Sequence, residues 1–119
     1  MTDELFKSLE HIETDVEGAL YRLSNDKAMY VMLLRAFEND DTMAQLEASI
    51  KSGDWDNAFT AAHALKGLAG NMGFTPLFHA IGELVILIRA GKIESINSSY
   101  DTVRKHYDDI AEIIRNYCM

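Results

Sequence analysis

The sequence predicts an all-α protein, a mostly antiparallel up-down four-helix bundle with one or two short extra helices at the N-terminus. Apolar residues recur at intervals of three and four, the period of amphipathic helices, and strand-like alternation is scarce. Only one proline, Pro76, occurs in the 119 residues. The predicted connections are short, and short connections favour antiparallel neighbours in a bundle.

The first half of the chain predicts two short helices and one long one. The short helices cover Leu5 to Ile12 and Val16 to Leu23, and a polar Ser-Asn-Asp cluster ends the second. A long helix is expected from about Asp26 to Lys51. The helical periodicity of its apolar residues shifts between Asn39 and Thr42, which predicts a kink or a brief break there.

Turn signals divide the second half into three more helices. Gly53 suits a left-handed helix end, and Asp54 is a good N-cap for a helix from Trp55 to about Met72, which stops at Gly73. The pair Thr75-Pro76 predicts an N-cap with proline in the first helical position. Gly91 closes the helix that follows.

The last predicted helix carries a regular heptad seam. Seams of this kind either pair two chains as a coiled coil or pack within one bundle. We expect the second arrangement, and hence a monomer, because four amphipathic helices of one chain satisfy one another. The seam consists of Ile96, Tyr100, Val103, Tyr107, Ile110, Ile114 and Tyr117.

Bulk composition narrows the function classes. A formal charge of -8 is a poor balance for binding a phosphate backbone, so no nucleic-acid partner is expected. The apolar runs are far shorter than the roughly 20 residues that span a bilayer, and the N-terminus lacks a secretory signal. A lone cysteine, Cys118, suits a reducing compartment. We expect one cytoplasmic domain over residues 1–119, with no membrane partner.

The helix from Trp55 to Met72 presents a histidine away from its apolar stripe. At about 100° per residue, His63 lies about 140° from that stripe, on the side predicted to face solvent. The stripe consists of Ala58, Ala62, Leu65, Ala69 and Met72, and the residues within about 60° of His63 are Asp56, Phe59, Thr60, Lys66, Gly67 and Gly70.

Two glycines distinguish this face from an ordinary helix surface. Gly67 and Gly70 follow His63 by one and two turns, and each costs a helix about 1 kcal/mol relative to alanine. A bare strip beside an exposed imidazole is what a partner protein needs to bring a reactive group onto the ring. Lys66, three residues after His63, supplies a cation able to pair with an anion carried by the ring, such as a phosphoryl group.

The segment HALKGLAGNMGF resembles the signature of histidine-containing phosphotransfer (HPt) domains. That signature has a lysine three, a glycine four and a glycine ten residues after the histidine, here His63, Lys66, Gly67 and Gly73. The similarity covers roughly residues 15 to 90. The last helix matches only in length and amphipathicity. The family fold is a mostly antiparallel four-helix bundle with short extra N-terminal helices, in agreement with the helix pattern.

The resemblance implies a role for each matching residue. His63 is the phospho-acceptor, Lys66 the supporting cation near the phosphoryl group, and Gly73 the end of the helix. Phe59, Thr60, Gly67 and Gly70 are predicted to form the partner-docking face. Val85 departs from the family, because several members carry a polar residue there that faces the histidine.

The resemblance also implies partners and cofactors. The expected partners are response-regulator receiver domains and a sensor or hybrid histidine kinase. No cofactor or metal is expected in this chain, since Mg²⁺ belongs to the receiver. The implied activity is that of a phosphoryl carrier without autonomous kinase activity.

Particular residues exclude some alternative functions and leave others open. A di-iron bundle needs Glu-x-x-His pairs, and no histidine here has a glutamate three residues before it. An autophosphorylating kinase needs a separate ATP-binding domain, for which the chain has no room. A helical adaptor without phosphoryl chemistry remains, as does a phosphotransfer module cut from a chemotaxis-type or hybrid kinase. The Met1 start slightly favours a free-standing protein.

Overall fold

A computed structural model of the chain describes residues 2–118, and this part contains seven α-helices and no named strand. Among the last four, each helix packs against the next one along the chain. The helices are α1 (Thr2–His11), α2 (Val16–Arg22), α3 (Lys27–Asn39), α4 (Thr42–Ser52), α5 (Trp55–Met72), α6 (Thr75–Ala90) and α7 (Ile93–Tyr117).

Two-residue connections make α4 to α7 an up-down bundle. α4 packs against α5, α5 against α6 and α6 against α7, and each connection spans only two residues, so consecutive helices run antiparallel. α1 and α3 pack against α7, while α2 and α3 also reach α5. The all-α bundle with short N-terminal helices is therefore confirmed.

The long N-terminal helix divides at the predicted place. α3 ends at Asn39 and α4 begins at Thr42, with Asp40 in an extended conformation between them. Tyr30, Leu34 and Phe37 of α3 are buried. The apolar faces of the two segments point in different directions around the helix axis. A break between α3 and α4 lets each helix turn its own apolar face toward the core.

The left-handed helix ends lie where glycines predict them. Gly53, Gly73 and Gly91 have φ of 71°, 80° and 67° and end α4, α5 and α6, a conformation that favours glycine. The Asp54 carboxylate accepts the Asn57 N–H at 3.2 Å, as an N-cap should. One boundary prediction was wrong. Phe74, not Thr75, is the N-cap of α6, because its carbonyl already accepts the Phe78 N–H at 2.8 Å.

The heptad seam of α7 faces its own bundle. Tyr100 is half-buried and donates its hydroxyl to Glu47 of α4 at 2.6 Å, and Tyr117 at the end of the helix is exposed. The intramolecular interpretation of the seam is confirmed by its buried members, which are Ile96, Val103, Tyr107, Ile110 and Ile114.

Candidate functional site

His63 lies in the middle of α5 with its side chain exposed to solvent. The apolar stripe on the opposite side of α5 is buried throughout, from Ala58 to Met72, as the helical periodicity predicts. Within residues 2–118, no side chain forms a hydrogen bond or a salt bridge with the imidazole. The ring nitrogens are therefore accessible to a partner.

An aromatic and a guanidinium group border the histidine on its N-terminal side. The Phe59 and His63 rings are nearly parallel, with an interplanar angle of 12° and centroids 6.0 Å apart. Phe59 is half-buried, and the Arg89 guanidinium of α6 lies 5.4 Å from its ring centroid. This places a cation of α6 next to the predicted docking residue Phe59.

Arg89 was missed by the sequence interpretation. The available signal was its position on α6, one helical turn beyond Val85. Val85 itself is half-buried and packs against the core. The guanidinium of Arg89 therefore lies one helical turn after Val85, the apolar residue that departs from the family pattern.

Lys66 is half-buried and extends from α5 toward α6. Its ammonium lies 5.2 Å from the centroid of the Phe78 ring. The side chain passes beside Gly82, where an added Cβ would lie 3.7 Å from Cε and 3.8 Å from Nζ of Lys66. In the part of the chain that the structure describes, Lys66 makes no salt bridge. Its charge is thus left available for an anion on the same face.

The two glycines of the exposed strip have different surroundings. A Cβ at Gly67 would meet nothing within 4 Å, so the surface one turn after His63 is open. A Cβ at Gly70 would lie 3.1 and 3.2 Å from Cε1 and Cδ1 of Phe78. The prediction that Gly70 clears space on the open strip is wrong, because the Phe78 ring occupies that space.

A shallow groove lies on the other side of His63, between α4 and α5. Its volume is about 400 Å³, and it is lined by small or polar side chains. Thr60 and Ala64, three residues before and one after His63, contribute to it. The Thr60 hydroxyl donates to the Asp56 carbonyl at 3.1 Å, a bond within its own helix. The other lining residues are Thr42, Gln45, Ala48, Ser49, Asn57 and Ala61.

The C-terminal end of α5 is held by bonds from three other segments. Arg22 donates to the carbonyls of Gly70 and Asn71 at 3.0 and 2.9 Å. The buried Tyr30 hydroxyl donates to the Met72 carbonyl at 2.8 Å. Burial raises the pKa of Tyr30 above its ordinary range. Since the last carbonyls of a helix lack partners within it, these contacts fix where α5 ends.

Gly73 completes this attachment. The Asp15 N–H donates to the Gly73 carbonyl at 2.7 Å, next to an isolated antiparallel bridge between Thr14 and Phe74. A Cβ at Gly73 would overlap the carbonyl of Asp15. The predicted helix end at Gly73 is confirmed, and close approach of the α1–α2 connection adds a second reason for glycine.

Two further features bear on ligands and membranes. Among the described residues, no three His, Cys, Asp or Glu side chains cluster as metal ligands. Within residues 2–118, no helix is both long and apolar enough to cross a bilayer.

The sequence also matches a known family. The Hpt domain family model matches residues 33–113, more than half of the chain. This match includes most of α7, which the segment resemblance had left out, and it begins within α3. No curated protein and no solved structure matches the chain significantly. On the strength of the family match and the helical bundle, the chain belongs to the Hpt domain family, the phosphotransfer carrier modules of phosphorelays.

Proposed function

We propose that the protein accepts a phosphoryl group on His63 and relays it to or from the aspartate of response-regulator receiver domains. One observation carries the proposal: the imidazole is exposed at mid-helix, and open space follows one turn later at Gly67. Membership of the Hpt domain family supports the same chemistry.

The transfer step requires little of this chain. A lone pair on a ring nitrogen of His63 attacks the phosphorus of a receiver's aspartyl phosphate. The N–P bond forms as the bond from phosphorus to the aspartate oxygen breaks, and the carboxylate leaves with that electron pair. The ring then loses its remaining proton to solvent. The reverse sequence charges another receiver. Catalysis of this kind is mostly positioning and charge neutralisation.

This protein's contribution to neutralising the charge of the phosphoryl group is assigned to two cations that flank His63. Lys66 lies on the same face of α5 and makes no salt bridge among residues 2–118. Arg89 approaches from α6 over Phe59. We assign the Mg²⁺ that transfer requires to the acidic cluster of the receiver, and no cofactor to this chain.

The docking surface is proposed to flank His63. Phe59 offers an apolar contact, Gly67 leaves room for the partner's active site, and Thr60 borders the groove between α4 and α5. Gly70 belongs to this surface only through its backbone, because Phe78 covers its side-chain position.

The proposed protein is a monomeric cytoplasmic carrier without kinase activity of its own. Burial of the α7 seam within the bundle supports the monomer, because no extended apolar stripe is left for a second copy of that helix. A sensor or hybrid histidine kinase is the proposed source of phosphoryl groups, acting directly or through a receiver. Neither nucleic acid nor a membrane is among the proposed partners.

The test is transfer of label from a ³²P-phosphorylated receiver domain. The product should lose its label in acid and keep it in alkali, as a phosphoramidate does. His63→Gln should take up no label. His79→Gln is the matched control, since His79 is also an exposed helical histidine, and it should be labelled like the wild type. Undiminished labelling of His63→Gln would overturn the assignment, and binding of receiver without any labelling would favour the adaptor.

A further inference from the structure

Phe78 of α6 contacts two residues on the His63 face of α5, Gly70 and Lys66. Its half-buried ring fills the position where Gly70 lacks a side chain, with Cε1 and Cδ1 at 3.1 and 3.2 Å from an ideal Cβ. The same ring lies 5.2 Å, centroid to nitrogen, from the Lys66 ammonium. That distance is within the range of a cation–π interaction.

We propose that Phe78 is a positioning residue that holds the Lys66 ammonium on the His63 face for phosphoryl transfer. This inference rests on the proposed function. The ring attracts the cation through the negative face of its π-system and leaves the charge itself intact. A carboxylate in the same place would pair with the lysine and compete with the phosphoryl group.

The neighbouring glycines fit this role. Gly70 lets the ring sit close to α5, because any side chain there would push the ring outward. The end of the Lys66 side chain passes along α6 at Gly82, where an added Cβ would be in ordinary contact with it at 3.7 and 3.8 Å. The end of the Lys66 side chain therefore lies close to both the Phe78 ring and Gly82 of α6.

The kinetic test is a double-mutant cycle on the rate of transfer from a phospho-receiver. Phe78→Leu keeps an apolar side chain but removes the aromatic face, and it should slow transfer about two- to fivefold, the factor for a partly exposed cation–π contact. In a Lys66→Ala background, Phe78→Leu should have no further effect. Phe78→Tyr, which retains the ring, should transfer like the wild type.

A purely packing role for Phe78 predicts a different pattern. Phe78→Leu would then slow transfer by the same factor with and without Lys66, or would not slow it at all, and either result overturns the proposal. Should Phe78→Leu fail to fold, Gly70→Ala displaces the ring without removing it. It is expected to slow transfer in the Lys66-containing protein only, and equal slowing in both backgrounds would again overturn the proposal.

A second measurement separates this inference from the proposed function. In the wild-type protein, NMR should show the Lys66 side-chain methylene protons nearest the ammonium shifted upfield by the ring current of Phe78. This shift needs no phosphorylation. Ordinary lysine shifts would overturn the positioning role whatever the labelling shows. Upfield shifts in a protein that takes up no label on His63 would mean that the geometry stands and the proposed function fails.

Discussion

The middle of α5 and its C-terminal end lie only a few residues apart and are built in opposite ways. Around His63 and Gly67 the helix surface is exposed, and a Cβ added at Gly67 would have no neighbour within 4 Å in the described part of the chain. From Gly70 to Gly73 the helix is bound by Arg22, Tyr30 and the backbone of Asp15. We infer that the rigid end fixes the position of α5, while the bare middle leaves the histidine approachable.

The difference shows that glycines within and at the end of one helix can serve different purposes. At Gly70 the missing side chain makes room for Phe78 of the same protein, and at Gly73 it permits φ of +80° beside a neighbouring backbone. At Gly67 no neighbour among residues 2–118 comes within 4 Å of the position that a Cβ would occupy. A glycine that costs helix stability without an internal reason points to an external one.

The largest effect is expected where the rigid end is most crowded. Gly73→Ala combines a left-handed backbone with overlap of the Asp15 carbonyl, so it should lower the free energy of unfolding by about 3 kcal/mol. Gly91→Ala is the matched control, since Gly91 has φ of +67° and nothing within 4 Å. It should lose only about 1 kcal/mol in the same urea titration. Equal losses would show that the contact with Asp15 is unimportant.

A medium effect is expected from the buried tyrosine that binds the same end of α5. Tyr30→Phe removes the hydroxyl that donates to the Met72 carbonyl and should cost about 1–2 kcal/mol at pH 7. Tyr21→Phe, at an exposed position, should cost nothing measurable in the same unfolding experiment. A Tyr30→Phe variant as stable as the wild type would mean that the bond contributes little to holding α5.

The same tyrosine should make stability depend on alkaline pH. Burial raises the pKa of Tyr30, so above about pH 10 the unfolded chain loses the phenolic proton while the folded protein retains it. The unfolded state then binds fewer protons, and the free energy of unfolding falls as pH rises. Tyr30→Phe should reduce this fall between about pH 10 and 11. An unchanged slope would assign the alkaline loss to other groups.

Periodicity and turn signals were enough to predict the bundle and the exposed face of α5. The break between Asn39 and Thr42, the helix end at Gly73 and the buried stripe of α5 all follow from local rules of spacing and backbone conformation. The matching signature around His63 identified the family independently of the fold. These features are properties of one segment at a time.

What the sequence could not supply depends on contacts between helices. The packing of Phe78 against Gly70 and the approach of Arg89 to Phe59 arise from the rotation of α6 against α5. Helical periodicity alone places Gly70 on the face of His63 and gives no sign that a ring from another helix covers it. The bond from Arg22 to the end of α5 likewise joins residues nearly fifty positions apart.

A small gain in stability is expected at Gly67, and this position tests the central claim most directly. Both Gly67→Ala and Gly70→Ala should be measured for free energy of unfolding and for the rate of transfer from a phospho-receiver. Gly67→Ala should stabilise the protein by up to about 1 kcal/mol, because alanine favours the helix and meets no neighbour. Gly70→Ala should gain less, since Phe78 must shift.

Transfer should respond to Gly67 in the opposite sense to stability. A methyl group beside His63 intrudes where the receiver must approach, so Gly67→Ala should slow transfer severalfold, and Gly67→Leu by about tenfold or more. A more stable protein that transfers more slowly is the result predicted by a surface kept bare for a partner. A Gly67→Ala variant that is less stable, or one that transfers as fast as the wild type, would contradict the account.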